Sequence, residues 1–227
     1  MYGPRLYARS DRLVRAGKIV PIAEAKVSVM TTTLHYGVGC FGGLRAYWSE
    51  ERQELFAFRL IDHYTRFLDS CKLLMSELPY SAQQLADITC ELLRKEGFRG
   101  DVYIRPLHYK ADLHGGLQLH GLADELTIYA LPRGGMPPEQ GLSVGTSSWR
   151  RIDDTMIPAR GKLIGAYVNS ALIKSEAVTG GYDDGVVLTQ DGHVSELSGA
   201  NIFMIRDGVL ITPPITDNVL VILTSSP

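Results

Sequence analysis

The sequence predicts an α+β chain in two parts. Three observations carry this. Helix periodicity at 62–75 and 81–97 is set among strand-like alternation. The run Pro132-Arg133-Gly134-Gly135-Met136-Pro137-Pro138 concentrates residues that end regular structure and join domains. Asp191-Gly192 and Asp207-Gly208 each stand between apolar runs, a strong hairpin signal. The predicted division is an N-terminal α+β domain at 1–131, a linker at 132–138 and a C-terminal domain at 139–227.

Taken in order, Leu13-Val14 and Ile19-Val20 read as short strands around a turn at Ala16-Gly17-Lys18. Val27-Ser28-Val29-Met30 alternates as a strand would. The stretch Thr31 to Tyr47 mixes four glycines with aromatic and cationic side chains. It reads either as a surface turn or as a pocket wall presenting Tyr36, Phe41 and Arg45. Leu55 to Phe58 is a strand closed by Arg59. A helix follows from Asp62, with Tyr64, Phe67, Leu68, Cys71, Leu74 and Met75 at spacings of three and four.

Ser81 is a fitting N-cap for a second amphipathic helix, and Gly97 a fitting stop. Val102 to Tyr109 alternates, placing Tyr103, Arg105 and Leu107 on one face. An arginine on a sheet face is costly to bury unpaired, which suits it to a carboxylate ligand. Asp124 to Leu131 is a further strand. Beyond the linker, Leu142 to Ser148 is strand-like. Tyr167 to Thr179 is a helix with Val168, Ala171, Leu172 and Ala177 near one face and Gly180-Gly181 as its stop. The two Asp-Gly hairpins follow, with Glu196 where one hands over to the next.

Composition narrows the classes. The chain has 227 residues, 45% hydrophobic and 21% charged, with net charge -2. That is ordinary for a globular protein and gives no electrostatic reason to bind nucleic acid or an anionic membrane. Cys40, Cys71 and Cys90 lack CxxC spacing, so reduced thiols, no metal site and a cytoplasmic location are expected. No apolar run is long enough for a bilayer, and the N-terminus carries no secretory pattern.

Two places suggest chemistry. Lys162 sits among small and apolar residues just before a helix, where lost hydration makes an amine nucleophilic; an ordinary solvated lysine is the plainer reading. Arg59, His63 and Arg66 share a helical spacing that suits either a phosphate or a solvated basic face.

Six stretches then stand in order: Leu34-His35-Tyr36-Gly37 with Phe41 to Tyr47; Phe58-Arg59-Leu60 with His63, Arg66 and Leu68; Tyr103 to Leu107; Gly161-Lys162 with Tyr167; Ser195-Glu196 with Asn201 to Phe203; and Ile211 to Pro214. Together they resemble the fold-type IV aminotransferases that use pyridoxal 5'-phosphate, and within them the branched-chain amino-acid aminotransferases. The resemblance runs from about residue 2 to about residue 220.

The resemblance implies roles. Lys162 matches the lysine that forms the Schiff base with the cofactor and shuttles the proton. Glu196 matches the carboxylate facing the pyridine nitrogen, Tyr167 the partner of the phenolate oxygen, and Arg59 the arginine on the phosphate. His63 and Arg66 would support Arg59. Tyr36, Phe41, Arg45, Tyr103 and Arg105 match positions that line the substrate pocket, with aromatic walls for branched side chains and arginine for the second carboxylate of 2-oxoglutarate. Partners would be amino acids and 2-oxo acids, and the assembly a homodimer or larger homo-oligomer. The implied reaction is ping-pong transamination of leucine, isoleucine or valine. A D-amino-acid or (R)-amine transaminase, an aminodeoxychorismate lyase and a non-catalytic module of the same fold are the alternatives.

Three departures qualify the match. Gly42 stands where many relatives carry glutamate. The linker lacks a tyrosine that some relatives place over the site. At Val221 to Pro227 only Leu223-Thr224 keeps a trace of a phosphate-binding Gly-Ile-Thr motif, with Thr224 as the second phosphate contact. The expectation is an incomplete second domain, an exposed apolar end, weak cofactor binding and little activity of this chain by itself.

Overall fold

The structure, a computed structural model, describes residues 12–15, 18–113, 116–132 and 140–221. Most of the expected turn at 16–18, nearly all of the expected linker and Thr224 lie outside the described residues. The chain divides into two compact units, Met1–Gly135 and Met136–Pro227.

Unit 1 is an antiparallel sheet covered by helices. In chain order its elements are β1 (Arg12–Arg15), β2 (Lys18–Pro21), α1 (Thr32–Tyr36), β3 (Gly39–Phe41), β4 (Leu44–Ser49), β5 (Glu54–Ala57), α2 (Leu60–Leu73), α3 (Ala82–Glu96), β6 (Val102–Lys110) and β7 (Asp124–Pro132). The sheet order is β2-β1-β7-β6-β4-β5, and β3 pairs with β6 beside β4.

Along β6 every second residue is buried, from Val102 through Ile104 and Pro106 to His108 and Lys110. Tyr103, Arg105 and Leu107 take the other face. The buried face is closed by α2 and α3 through Tyr64, Phe67, Leu85 and Leu92, each at most 2% exposed. A side chain such as Phe67 contributes about 1.5–3 kcal/mol by leaving water.

The sequence sets the ends of α3 locally. Ser81 accepts from the Gln84 amide at 3.2 Å, and Gln84 Oε1 accepts from the Ser81 amide at 2.8 Å, a reciprocal capping box. Gly97 closes the helix at φ 66°, where a side chain is disfavoured. The start of α2 breaks that rule: Arg59, its N-cap, holds φ 47° and ψ 44°. A non-glycine residue there costs about 1–3 kcal/mol, so the surroundings must hold it.

Two expectations fail in unit 1. Val27 to Met30 forms no strand; the Met30 amide donates to Ser28 Oγ at 3.2 Å and the Thr31 amide to the Ser28 carbonyl at 3.1 Å, so Ser28 organises a turn in place of a ladder. Met75 lies beyond the end of α2 and is 63% exposed.

Unit 2 comprises β8 (Val144–Arg150), α4 (Tyr167–Thr179), β9 (Asp184–Leu188), β10 (Val194–Leu197), β11 (Met204–Arg206) and β12 (Val209–Ile211). β8 and β9 run parallel across α4, β10 returns antiparallel to β9, and β11 pairs with β12. Asp207 at φ 51° and Gly208 at φ 77° make the tight turn between the last two strands.

α4 is seated on this sheet through Ile173 and Ala177, four apart and buried. Gly185 permits it: a Cβ there would stand 2.8 Å from Ile173 Cγ2. The expected inner face was wrong for three of its four residues, because Val168, Ala171 and Leu172 are not buried. Apolar residues on more than one side of this short helix hid the direction of contact.

Candidate active site

Three of the sequence-derived candidates meet in unit 2. Lys162 lies in the crossover between β8 and α4, and Tyr167 is the first residue of α4. The Lys162 amine donates to the Tyr167 hydroxyl at 2.6 Å. Both side chains are half-buried. The helix start thus fixes the phenol, and the phenol fixes the amine.

Glu196 is delivered by a strand irregularity. β10 pairs Val194 with Leu188 and Glu196 with Val187, so Ser195 is an extra residue in the ladder. Such a bulge re-aims the side chains that follow. Ser195 and Glu196 are consecutively buried as a result, and Ser195 Oγ donates to the Asp217 carbonyl at 2.6 Å.

The Glu196 carboxylate is held on both oxygens. Arg151 Nη2 lies 2.9 Å from Oε1. The Leu220 amide donates to Oε2 at 3.1 Å, and Asn201 Nδ2 donates to the same oxygen at 3.3 Å. Burial pushes the carboxyl above its ordinary range, while Arg151, the Leu220 amide and Lys162 pull it the other way. Burial wins this balance despite the close ion pair.

Arg151 and the Leu220 amide are not among the sequence-derived candidates, and Asn201 stands there only within the stretch that follows Ser195-Glu196. Arg151 follows directly on β8, and its Nε donates to the Asn218 carbonyl at 3.0 Å, which ties it to the same 217–221 loop. The doublet Arg150-Arg151 at a strand end was the available signal.

In unit 1 the structure joins four of the five substrate-pocket candidates. Arg105 Cζ lies 4.2 Å from the centre of the Phe41 ring and 5.1 Å from that of Tyr103. Arg105 Nη2 donates to the Tyr103 hydroxyl at 2.7 Å. Arg45 is the cross-strand neighbour of Tyr103. Arg105 Nε is buried and makes no hydrogen bond among the described residues, leaving a donor for a ligand. Gly43 makes room for this group, since a Cβ there would stand 2.6 Å from the Tyr103 hydroxyl. Tyr36, the fifth candidate, ends α1 and is 42% exposed.

Arg59 Nε lies 2.7 Å from Asp62 Oδ2 at the start of α2. It lines an open groove with Trp48, Phe56, Cys90 and Arg94. On α2, His63 is half-buried and Arg66 lies one turn further along.

The model of the amino-transferase class IV family matches residues 39–223. The chain belongs to that family. The class IV chain is 47% identical over 205 residues to a probable branched-chain-amino-acid aminotransferase of Aquifex aeolicus, covering 90% of this chain and 66% of that relative. It superposes with TM-score 0.88 and 40% identity on the branched-chain aminotransferase of Thermoproteus uzoniensis with norvaline, covering 92% of this chain and 70% of that one. With the T.th. branched-chain amino acid aminotransferase complexed with N-(5'-phosphopyridoxyl)-L-glutamate the TM-score is 0.89 at 36% identity, covering 95% and 70%. The class IV chain spans about two thirds of the length of the curated relatives it matches. Its architecture is the α+β, fold-type IV one that the resemblance implied.

The unit 2 donor set suits pyridoxal 5'-phosphate. It offers a primary amine for an aldehyde, a phenol beside that amine and a buried carboxylate for a ring nitrogen.

Proposed function

We propose that this protein transfers amino groups between branched-chain L-amino acids and 2-oxoglutarate, with pyridoxal 5'-phosphate bound through Lys162. The observation that carries the proposal is the 2.6 Å hydrogen bond from Lys162 to Tyr167, in the unit that also buries the Glu196 carboxyl. The names of the relatives and the phosphopyridoxyl group of one solved neighbour support it.

When bound, the cofactor supplies an aldehyde and an electron-withdrawing ring. Lys162 Nζ is the group that would hold the aldehyde, and its amine is the base we assign to the proton on the substrate α-carbon. Tyr167 holds that amine in one direction through its hydroxyl. Glu196 is assigned to the ring nitrogen; its second role is to exclude water by bringing Arg151 and the 217–221 loop around itself. Arg59 and Thr224 are assigned to the phosphate.

Phe41, Tyr36 and Tyr103 are assigned to the branched side chain, and Arg105 with Arg45 to the substrate carboxylates. Arg105 alternates between its Tyr103 hydroxyl and a bidentate carboxylate in this reading. The domains proposed are 1–131 and 139–227. The working state proposed is a cytoplasmic homodimer or larger homo-oligomer.

The test is a comparison of amino donors. Against the low turnover expected of this chain by itself, transfer from L-leucine to 2-oxoglutarate should exceed transfer from D-alanine and vanish in Lys162→Ala, and aminodeoxychorismate should release no pyruvate. A preference for D-alanine would replace the branched-chain reading with that of a D-amino-acid transaminase.

A further inference from the structure

We propose that Cys40, Cys71 and His108 form a zinc site in the core of unit 1, apart from the residues assigned to amino transfer. Cys40 on β3 and His108 on β6 are direct cross-strand partners, so their side chains leave the sheet on the same side. That side is the one covered by α2, which contributes Cys71.

The sulfurs lie 3.4 Å apart, and Cys40 Sγ lies 3.7 Å from His108 Nδ1. All three donor atoms lie within 4.8 Å of one another. A tetrahedral zinc ion with Zn–S of about 2.3 Å and Zn–N of about 2.0 Å has donor–donor edges of roughly 3.5–3.8 Å. The ion therefore fits with small side-chain adjustments.

The outer partner is already in place. His108 Nε2 lies 2.8 Å from Asp124 Oδ1. A carboxylate on the far nitrogen directs the near nitrogen of a histidine toward its metal and makes it a stronger ligand. Here the near nitrogen is Nδ1, the one facing Cys40.

Charge selects the ion. Cys40, Cys71 and His108 are at most 1% exposed, so any net charge on the cluster would be costly. Two thiolates with a divalent cation sum to zero, and Lys110 with Asp124, 2.9 Å apart, form a second neutral pair beside it. A cuprous ion would leave one negative charge. Uptake of zinc forms two Zn–S bonds and one Zn–N bond as water ligands leave the ion and two S–H protons leave to solvent, with no oxidation or reduction. No fourth His, Cys, Asp or Glu of the described residues joins the three, which leaves the fourth position to a small ligand. The bound ion would tie α2 to the sheet.

The chain is purified under reducing conditions from zinc-supplemented culture and its metal content measured. A chelator-stripped sample is titrated with Co2+. The expected results are stoichiometric zinc and a thiolate-to-cobalt charge-transfer band. Cys40→Ala and Cys71→Ala should lose bound zinc by about tenfold or more, while Lys162→Ala and Cys90→Ser retain it. Where a cluster variant fails to fold, the stripped wild-type chain decides: its melting midpoint should rise when Zn2+ is added. An unmoved midpoint, absence of both zinc and the charge-transfer band, copper in place of zinc, or a Cys40–Cys71 disulfide under these conditions would each overturn the proposal.

Discussion

The amine of Lys162 and the phenol of Tyr167 are 2.6 Å apart, with Tyr167 the opening residue of α4. The pairing makes helix position a control on amine direction. Tyr167→Phe keeps the ring and removes the hydroxyl. A hydrogen bond to a charged group is worth about 1.5–3 kcal/mol, so cofactor affinity should fall by roughly tenfold to a hundredfold. Titration followed by visible absorbance measures it. Unchanged affinity would detach Tyr167 from the site.

Arg151 and Glu196 are a buried pair, with side chains 7% and 8% exposed. Breaking such a pair by removing one partner costs about 3–5 kcal/mol. Arg151→Met should therefore lower the urea midpoint sharply. The double variant with Glu196→Gln should recover part of the loss, because the uncompensated carboxylate is gone. Additive losses would contradict the coupling.

Glu196 also sets a pH dependence. Its carboxyl titrates higher in the folded chain than the ordinary 4.5, chiefly because of burial. The folded state therefore holds the proton more tightly than the unfolded state. The stability this confers is complete below pH 4.5 and is lost as pH rises through the folded value. Urea unfolding across that window should show the decline in the wild-type chain and a flatter profile in Glu196→Gln. Identical profiles would count against a buried, titrating carboxyl.

Gly43→Ala tests the unit 1 cluster. Its Cβ would stand 2.6 Å from the Tyr103 hydroxyl, the oxygen that accepts from Arg105. The ring must move, and Arg105 loses its hold. KM for 2-oxoglutarate should rise more than kcat falls, since recognition is disturbed and Lys162 is not. A fall in kcat alone would move this cluster out of substrate recognition.

Arg59 can be separated into backbone and side chain. At φ 47° it occupies a conformation that glycine adopts readily. Arg59→Gly should keep or raise the melting midpoint and still weaken cofactor binding; Arg59→Lys should weaken binding while keeping the charge, because the guanidinium fork is lost. Full affinity in both variants would remove Arg59 from the phosphate.

What could be read ahead of the structure was local. Ser81 and Gly97 announce the ends of α3 because caps act within one turn. Asp207-Gly208 announces its hairpin because both residues tolerate positive φ. Lys162 and Tyr167 are near in sequence, so their meeting at a helix start needed little tertiary information. The rest depended on which surfaces face each other. Val27 to Met30 alternates like a strand, but Ser28 turns the chain first. Val168 and Leu172 are as apolar as Ile173, yet of these three only Ile173 is buried against the sheet. Arg151 reaches Glu196, and Cys40 reaches Cys71 and His108, across separate elements, through strand register and helix docking that no local pattern encodes.

The central claim is that Lys162 is the amine that captures the cofactor. The chain is incubated with pyridoxal 5'-phosphate, reduced with borohydride, digested and mapped by mass spectrometry. The added pyridoxyl mass should fall on the Lys162 peptide and disappear in Lys162→Ala. Label spread over exposed lysines such as Lys72 and Lys174, with Lys162 unmodified, would contradict it.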